Sequence, residues 1–163
     1  MLPTDTLHIL SIDFDFFQNV TPETLEYYPD GIDVSTKMST LIWSLHYANP
    51  KKANPLKTVT CNNKELNLLH QYLNKQVRPD TPVYIANSHV HIYDCIHHHV
   101  HPASYENIWL THIDMHHDCF NDNPNLDCGN WISYIKQDYP GIHIQWIANP
   151  ISRKVYELHR EHS

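Results

Sequence analysis

The sequence predicts a mixed α/β domain in which a mostly parallel sheet is covered by helices on both faces, a three-layer α/β/α arrangement. Short apolar runs alternate with segments of helical periodicity, which is the pattern of parallel strands joined by crossover helices. The chain has 163 residues, of which 41% are hydrophobic, enough for one ordinary domain with its own core. We therefore expect residues 1–163 to form a single domain.

The predicted strands are short apolar runs that lie far apart in the chain. The first of them ends in acidic residues, which suits a strand buried on both faces whose carboxyl end meets something polar. In an open parallel sheet, ligands bind beyond the carboxyl ends of the strands. The predicted strands are residues 7–12, 82–86, 107–113 and 142–148.

Between these strands, apolar residues recur at helical spacing, as Met38, Leu41 and Leu45 do in the first such segment. Stretches rich in Pro, Lys and Asn, or without periodicity, are typical of loops. The predicted helices are residues 35–48, 64–75, 93–100 and 130–139, and the predicted loops are residues 18–33 and 49–63.

Composition excludes several classes of partner. The chain carries 11 Lys and Arg against 18 Asp and Glu, a formal charge of −7, which is the wrong sign for a protein that binds nucleic acid through its phosphates. Its 3 glycines cannot build the glycine-rich loops that cradle nucleotide phosphates. The 15 histidines outnumber all Lys and Arg together and point to a metal.

The sequence also predicts the location of the protein. The amino terminus has no basic segment ahead of an apolar stretch, and no apolar run approaches the roughly 18 residues that a membrane span needs. We expect no membrane partner and a cytoplasmic protein. The 4 cysteines form no CxxC pair, so reduced thiols are expected, including Cys119 and Cys128 beside the site described next.

Metal-binding residue types follow three of the predicted strands. Asp13 and Asp15 come after the first, His89 comes after the second, and residues 114–118 (DMHHD) come after the third. Alternate residues of an extended segment project to one side, which brings Asp114, His116 and Asp118 together. Six oxygen and nitrogen donors, most of them carboxylates, suit Mn²⁺ better than a thiolate-bound zinc. We expect two Mn²⁺ per chain, because crowded carboxylates repel one another without cations between them.

These strings resemble the metal motifs of the arginase and agmatinase ureohydrolases. Residues 114–118 resemble their DxHxD motif, residues 11–15 (SIDFD) their SxDxD motif, and His89 their first metal-binding histidine. SxDxD comes last in ordinary arginases and first here. This permuted order, the small size and the strings SIDFDFF, NSHVH and HIDMHHD are most similar to the peptide arginases, which convert arginine side chains of a ribosomally made precursor peptide to ornithine and urea. The similarity covers about residues 7–18 and 82–147.

The resemblance implies a role for each donor. One Mn²⁺ would be held by His89, Asp114, Asp118 and Asp13, and the other by Asp114, His116, Asp13 and Asp15, so that Asp114 and Asp13 bridge the two ions. Asp118 would also act in catalysis by accepting a hydrogen bond from the attacking water. An arginine-containing precursor peptide would be the partner.

Other roles stay open at the level of sequence. Residues 128–131 (CGNW) resemble the arginase segment that carries the proton-shuttle histidine but lack that histidine, so His91 or His117 could substitute. Asn130 could contact substrate or begin a helix. The carboxylate that grips the guanidinium has no match, and its candidates are Asp30, Asp33, Asp94 and Asp127.

Three other functions compete with the peptide arginase. They are a small-molecule ureohydrolase, a zinc-dependent deacetylase of the same superfamily, and a non-catalytic metal-binding protein that uses the histidines of residues 97–101. The loop 119–127 contains acids but no Lys or Arg, which favours a cationic peptide over free arginine with its carboxylate. The sequence leaves the oligomeric state open, a homo-oligomer included.

Overall fold

The computed structural model describes residues 6–29, 35–101, 104–120, 123–152, 154 and 156. A short 3-10 helix, Phe14–Phe17, follows the first strand. The strands are β1 (Thr6–Ile12), β2 (Gln18–Asn19), β3 (Thr60–Cys61), β4 (Asn107–Asp114) and β5 (Ile142–Ala148). The helices are α1 (Pro22–Leu25), α2 (Thr36–Ala48), α3 (Pro50–Leu56), α4 (Asn63–Gln76), α5 (His91–His99) and α6 (Trp131–Asp138).

The main sheet has three strands in the order β1-β4-β5, and both pairs are parallel. Ile12 lies opposite Ile113, and Asp114 lies opposite Ala148, so the carboxyl ends of all three strands meet at one edge. A small antiparallel ribbon pairs β2 with β3. The prediction of a mixed α/β chain with a parallel sheet is therefore confirmed, as are the strands at the positions of β1, β4 and β5.

One face of the sheet is packed against α5 and α6. Leu110 of β4 and Ile132 and Ile135 of α6 are almost fully buried there, and Trp131 is completely buried. Burying each of these aliphatic side chains stabilises the fold by roughly 1.5–3 kcal/mol. This core anchors the start of α6 directly behind the carboxyl ends of the strands.

The other face of the sheet is only partly covered, by the 3-10 helix and α4. Phe16, Phe17 and Ile113 form a second, smaller cluster, against which Leu66 and Leu69 of α4 pack. Beside it a groove of about 390 Å³ opens between α4 and the sheet. Trp109 and Ile147 on this face are 44% and 39% exposed.

The helix predictions are confirmed at α2, α4, α5 and α6, each within about two residues of its predicted ends. Local chemistry explains the start of α2, where the side chain of Ser35 accepts a hydrogen bond from the backbone N–H of Met38. Among the described helices, none has the length and apolar character needed to cross a membrane.

The predicted strand at residues 82–86 is wrong. This segment has irregular backbone, and Val83 and Ile85 are 75% and 95% exposed. A short apolar run becomes a strand only where a neighbouring strand accepts its main-chain hydrogen bonds, and none of the described strands does so here. Tyr84 instead stacks on His99 of α5, with ring centroids 4.7 Å apart.

The loop predicted at residues 49–63 is also wrong, because it contains α3 and β3. Asn49 caps α3 by accepting a hydrogen bond from the N–H of Lys51, and Pro50 occupies the first turn, where no main-chain donor is needed. Ala53 and Leu56 on the inner side of this helix are buried. The Pro- and Asn-rich composition of this stretch is therefore that of a capped helix and not of a loop. In the predicted loop 18–33, β2 and α1 form, and residues 30–33 lie outside the described residues.

Candidate metal centre

The loops that follow β1 and β4 are joined to each other at the carboxyl edge of the sheet. The N–H of Asp13 donates to the carbonyl of Ile113 over 2.9 Å, and the N–H of Met115 donates to Oδ1 of Asp15 over 3.2 Å. These bonds bring the acids after β1 next to the donors after β4. The convergence that parallel strand ends predict is therefore observed.

Local geometry holds the two acids after β1. Asp13 caps the 3-10 helix, and its Oδ1 accepts a hydrogen bond from the N–H of Asp15 over 3.2 Å. The next two residues, Phe16 and Phe17, are buried in the second core cluster. Because these aromatic rings anchor the turn, the carboxylates before them have a fixed position at the sheet edge.

A first set of ligand atoms, the inner group, lies mostly buried. Its ligand atoms lie within 4.8 Å of one another and come from His89, His112, Asp114 and Asp118. Nδ1 of His89 lies 2.8 Å from Oδ2 of Asp114 and 3.3 Å from Oδ2 of Asp118. Nε2 of His112 lies 3.2 Å from the same Asp114 oxygen. Oδ2 of Asp13 borders the group, 3.3 Å from Nδ1 of His89.

A second set, the outer group, is more open to solvent. It consists of Asp15, Asp114 and His116, whose ligand atoms also lie within 4.8 Å of one another. Nδ1 of His116 lies 2.9 Å from Oδ2 of Asp15 and 3.6 Å from Oδ1 of Asp114. Asp114 thus faces the inner group with one oxygen and the outer group with the other.

The inner group has the chemistry of a metal site. Nδ1 of His89 is buried and has no hydrogen-bond partner, although three carboxylate oxygens surround it. Asp114 and Asp118 are only 1% and 3% exposed, and the ion pairs found for them within the described part of the chain involve histidine and neither Lys nor Arg. Burying carboxylates without a cation is costly. The cluster can therefore hold a metal ion.

Ser11 and the start of α6 orient these ligands. Oγ of Ser11 lies 2.8 Å from Nε2 of His89 and 3.4 Å from Nδ1 of His112, which turns the opposite nitrogen of each ring toward the carboxylates. The indole N–H of Trp131 donates to Oδ2 of Asp118 over 2.6 Å. The completely buried indole ring of Trp131 thus fixes the carboxylate of Asp118.

Asp118 also has a left-handed backbone, with φ of 49°. This conformation costs a non-glycine residue roughly 1–2 kcal/mol. Its carbonyl accepts a hydrogen bond from the N–H of Ile132 over 3.1 Å, so the packed start of α6 offsets the cost. The turn aims the Asp118 carboxylate back at the inner group.

The electrostatics of the cluster reflect an excess of buried carboxylate. Burial, together with the nearby Asp114 carboxylate, raises the pKa of Asp15 and of Asp118 to about 6. Burial acts on Asp114 in the same direction, but the imidazoles of His116 and His89 outweigh it, and the pKa of Asp114 lies below its ordinary value. A bound cation would neutralise this excess of negative charge.

The histidines of the cluster respond in two ways. Burial lowers the pKa of His89 and His116, but the carboxylates of Asp114, Asp118 and Asp15 outweigh it and raise the pKa of each to about 10. Burial dominates at His112 and lowers its pKa to about 4. His112 is therefore a neutral imidazole at pH 7, the form that coordinates a metal, whereas His89 and His116 would each release a proton on binding one.

The two predicted proton shuttles do not join either ligand group. His91 begins α5 with a half-exposed side chain, and its Nδ1 lies 3.9 Å from Oδ2 of Asp94. The ring of His117 packs against Phe120, with centroids 4.4 Å apart, and its Nδ1 accepts a hydrogen bond from the N–H of Cys119. Burial lowers the pKa of His117.

The predicted substrate residues near α6 build their own loop. Oδ1 of Asn130 accepts a hydrogen bond from the N–H of Asp127, and its Nδ2 donates to the carbonyls of Asn123 and Asn125. Asp127 accepts hydrogen bonds from the N–H of Gly129 and from Nδ2 of Asn123. Both side chains are thus engaged within residues 123–130. Of the other guanidinium candidates, Asp94 is exposed on α5, and Asp30 and Asp33 lie outside the described residues.

The histidines of residues 97–101, the helical run, do not converge. Nε2 of His97 lies 3.1 Å from Oδ2 of Asp138, and Nδ1 of His98 lies 2.7 Å from the carbonyl of Asp94. His99 stacks on Tyr84. Within the ranges that the structure describes, neither this run nor any of the cysteines contributes to a group of three metal-ligand atoms.

Sequence reasoning missed His112 and the orienting role of Ser11. A signal for His112 was present, because residues 112, 114, 116 and 118 alternate at the period of an extended segment. Ser11 belongs to the string SIDFD, but a serine carries no metal-ligand signal of its own.

Comparison with known proteins gives no match at the level of family models, curated proteins or solved structures. The function is therefore inferred from the residues of the site.

Proposed function

We propose that this chain is a binuclear manganese hydrolase of arginase-like, three-layer architecture that converts arginine side chains of a precursor peptide to ornithine and urea. The observation that carries the proposal is that two groups of ligand atoms share Asp114. A carboxylate between two ligand groups suits a pair of divalent ions. The resemblance of residues 11–15 and 114–118 to ureohydrolase motifs supports the same reaction class.

The inner group would hold one ion through His89, His112, Asp114 and Asp118, and the outer group would hold the other through Asp15, Asp114 and His116. Asp13, beside His89, would complete the coordination between them. Bound divalent ions supply positive charge that activates water near neutral pH and offsets negative charge in the transition state. Ser11 and Trp131 hold the inner ligands in place.

The reaction is a hydrolysis that balances without any further reagent. Water adds its oxygen to the guanidinium carbon, and the bond from that carbon to the side-chain nitrogen breaks. Urea leaves, and the nitrogen remains on ornithine as an ammonium group that has taken up both protons of the water. Asp118, oriented by Trp131, is the carboxylate that would accept a hydrogen bond from the attacking water.

The open side of the site suits a cationic substrate. The side chains of Asp13 and His116 are 37% and 48% exposed, whereas the inner ligands are closed to solvent. The formal charge of −7 adds weak attraction for a cation. Residues 119–127 contain no Lys or Arg that could bind the carboxylate of free arginine, which favours arginine within a peptide.

A competition experiment tests this substrate choice. The manganese-loaded protein receives free arginine and an arginine-containing peptide together, and urea release and peptide mass are followed. We expect urea and a mass loss of about 42 Da, the CH₂N₂ unit removed on hydrolysis, from the peptide first. Asp13→Asn serves as the inactive control. Faster turnover of free arginine would contradict the choice of a peptide substrate and support a small-molecule ureohydrolase instead.

A second candidate is a mononuclear zinc deacetylase. The inner group favours it, because two histidines and two carboxylates suffice for one ion without the outer group. Product analysis separates the candidates, since a deacetylase releases acetate from an acetylated amine and no urea from arginine.

A further inference from the structure

Three side chains from β5 and the start of the helical segment after it donate hydrogen bonds to main-chain carbonyls near the two ligand groups. The indole N–H of Trp146 donates to the carbonyl of Asp114 over 3.0 Å. Oγ of Ser152 donates to the carbonyl of Met115 over 2.5 Å, and Nδ2 of Asn149 donates to the carbonyl of Phe16 over 2.5 Å. We call Trp146, Asn149 and Ser152 the carbonyl clamp.

The carbonyl clamp is internally braced. Asn149 and Ser152 are 7% and 0% exposed, and the N–H of Ser152 donates to the carbonyl of Asn149 over 2.9 Å. Oδ1 of Asn149 accepts a hydrogen bond from the N–H of Ile151 over 2.8 Å, which leaves its Nδ2 aimed at the carbonyl of Phe16. Buried polar side chains so fully engaged have a fixed orientation.

Two of the three carbonyls that the clamp binds belong to residues adjoining the outer ligands, and the third belongs to Asp114, which both groups share. Met115 lies between Asp114 and His116, and its own N–H holds Oδ1 of Asp15. Phe16 directly follows Asp15. The clamp therefore fixes the backbone on both sides of the outer group, where Asp15 meets His116.

The inner group has separate supports. His89 and His112 contact Ser11, and Asp118 accepts its hydrogen bond from Trp131. Asp114 is the one inner ligand in contact with the clamp, through the bond from Trp146 to its carbonyl. His89, His112 and Asp118 are not next in sequence to any residue whose carbonyl the clamp binds. The two groups thus have different scaffolds.

We propose that Asn149 and Ser152 are positioning residues that set the affinity of the outer group for its metal ion, while leaving that of the inner group unchanged. This inference rests on the proposed binuclear centre. Residues that orient metal ligands typically contribute about 10–100-fold to metal affinity.

The test is a Mn²⁺ titration of the whole chain by calorimetry, with electron paramagnetic resonance to separate a spin-coupled pair from a single ion. The variants are Ser152→Ala and Asn149→Ala. Ser44→Ala is the matched control, because Oγ of Ser44 makes the same kind of bond to the carbonyl of Thr40 on exposed α2. His116→Ala gives the signature of a chain without its outer ion.

We expect two ions and a coupled signal in the wild type and in Ser44→Ala. In Ser152→Ala and Asn149→Ala, the second ion should bind about 10–100-fold more weakly and the signal should approach that of His116→Ala, with the first ion unaffected. If Ser152→Ala lowers the folded fraction seen by circular dichroism, Asn149→Ala carries the same test.

Two outcomes overturn the inference and are distinguishable from each other. Equal weakening of both ions, or no weakening of either, in a chain whose wild type binds two ions would reject the positioning role and leave the binuclear centre standing. A wild type that binds fewer than two ions would reject the binuclear centre, and the positioning role with it.

Discussion

The histidines of this chain lie in two regions that the fold treats differently. At the carboxyl ends of β1 and β4, His89, His112 and His116 converge on shared carboxylates. Along α5, His97 and His98 bond to separate partners, Asp138 and the carbonyl of Asp94. The first region gathers ligand atoms within 4.8 Å, and the second gathers none among the residues described.

Secondary structure explains the difference. Alternate residues after a strand project to the same side, and neighbouring parallel strands bring a second set to the same edge. Successive residues of a helix are turned about 100° from one another, so adjacent histidines diverge. A high density of histidines therefore does not by itself form a candidate metal site, whereas convergence of histidines on carboxylates does.

The largest expected effect comes from the carboxylate that the two ligand groups share. Asp114→Asn keeps the side-chain volume but removes the charge that faces both groups, so both ions should be lost and turnover should fall to background. Metal analysis and urea release measure this. Asp138→Asn is the matched control, because it removes the carboxylate beside the helical run. Equal metal loss in both variants would erase the distinction between the two regions.

Removing the metal should destabilise the protein through the first region alone. Free Mn²⁺ at 100 times the dissociation constant of each site should raise the free energy of unfolding by about 2.7 kcal/mol per bound ion relative to the chelated protein. Denaturant unfolding with and without Mn²⁺ measures the difference. Mn²⁺ should stabilise a variant with both His97→Ala and His98→Ala by the same amount as the wild type. A smaller increase in the free energy of unfolding would mean that the helical run binds metal.

A subtler change sharpens the comparison within the first region. Ser11→Ala removes the hydroxyl that lies 2.8 Å from Nε2 of His89, so this ring loses its orienting partner. We expect metal affinity to fall by about 10–100-fold with the fold retained. Calorimetric titration beside Ser44→Ala measures it, and unchanged affinity would mean that packing alone orients His89.

The smallest effect is expected in the helical run. His97→Ala breaks a partly exposed pair with Asp138, and such pairs contribute about 0–1 kcal/mol. The number of bound ions should not change. Thermal unfolding and metal analysis of this variant provide the check, and the loss of an ion would contradict the account of α5.

Much of the sheet could be predicted from the sequence, because its three strands are apolar runs and two of them, β1 and β4, lead into candidate metal ligands. The strand predicted at residues 82–86 fails because an apolar run does not reveal whether a partner strand exists. The sequence analysis did not predict helix α3, because Asn49 and Pro50 are residue types that are common both in loops and at the start of a helix.

For the candidate metal centre, the six predicted donors come together at one edge. Five of them lie at or after the carboxyl end of β1 or β4, where residue type and position carry the signal. His89 comes from the irregular segment before α5, so its residue type alone carried the signal. His112 could have been predicted from the same alternation of residues. Asn149 and Ser152 could not have been predicted, because they contact main-chain carbonyls of residues more than thirty positions away in sequence. Only the folded backbone reveals such contacts.

The most direct test of the central claim is the number and identity of the ions in the folded chain. Protein from manganese-supplemented expression is analysed for metals together with Asp114→Asn and Asp138→Asn. The account predicts two manganese ions per chain in the wild type and in Asp138→Asn, and none in Asp114→Asn. One tightly held zinc ion per chain, or two ions that survive in Asp114→Asn, would contradict it.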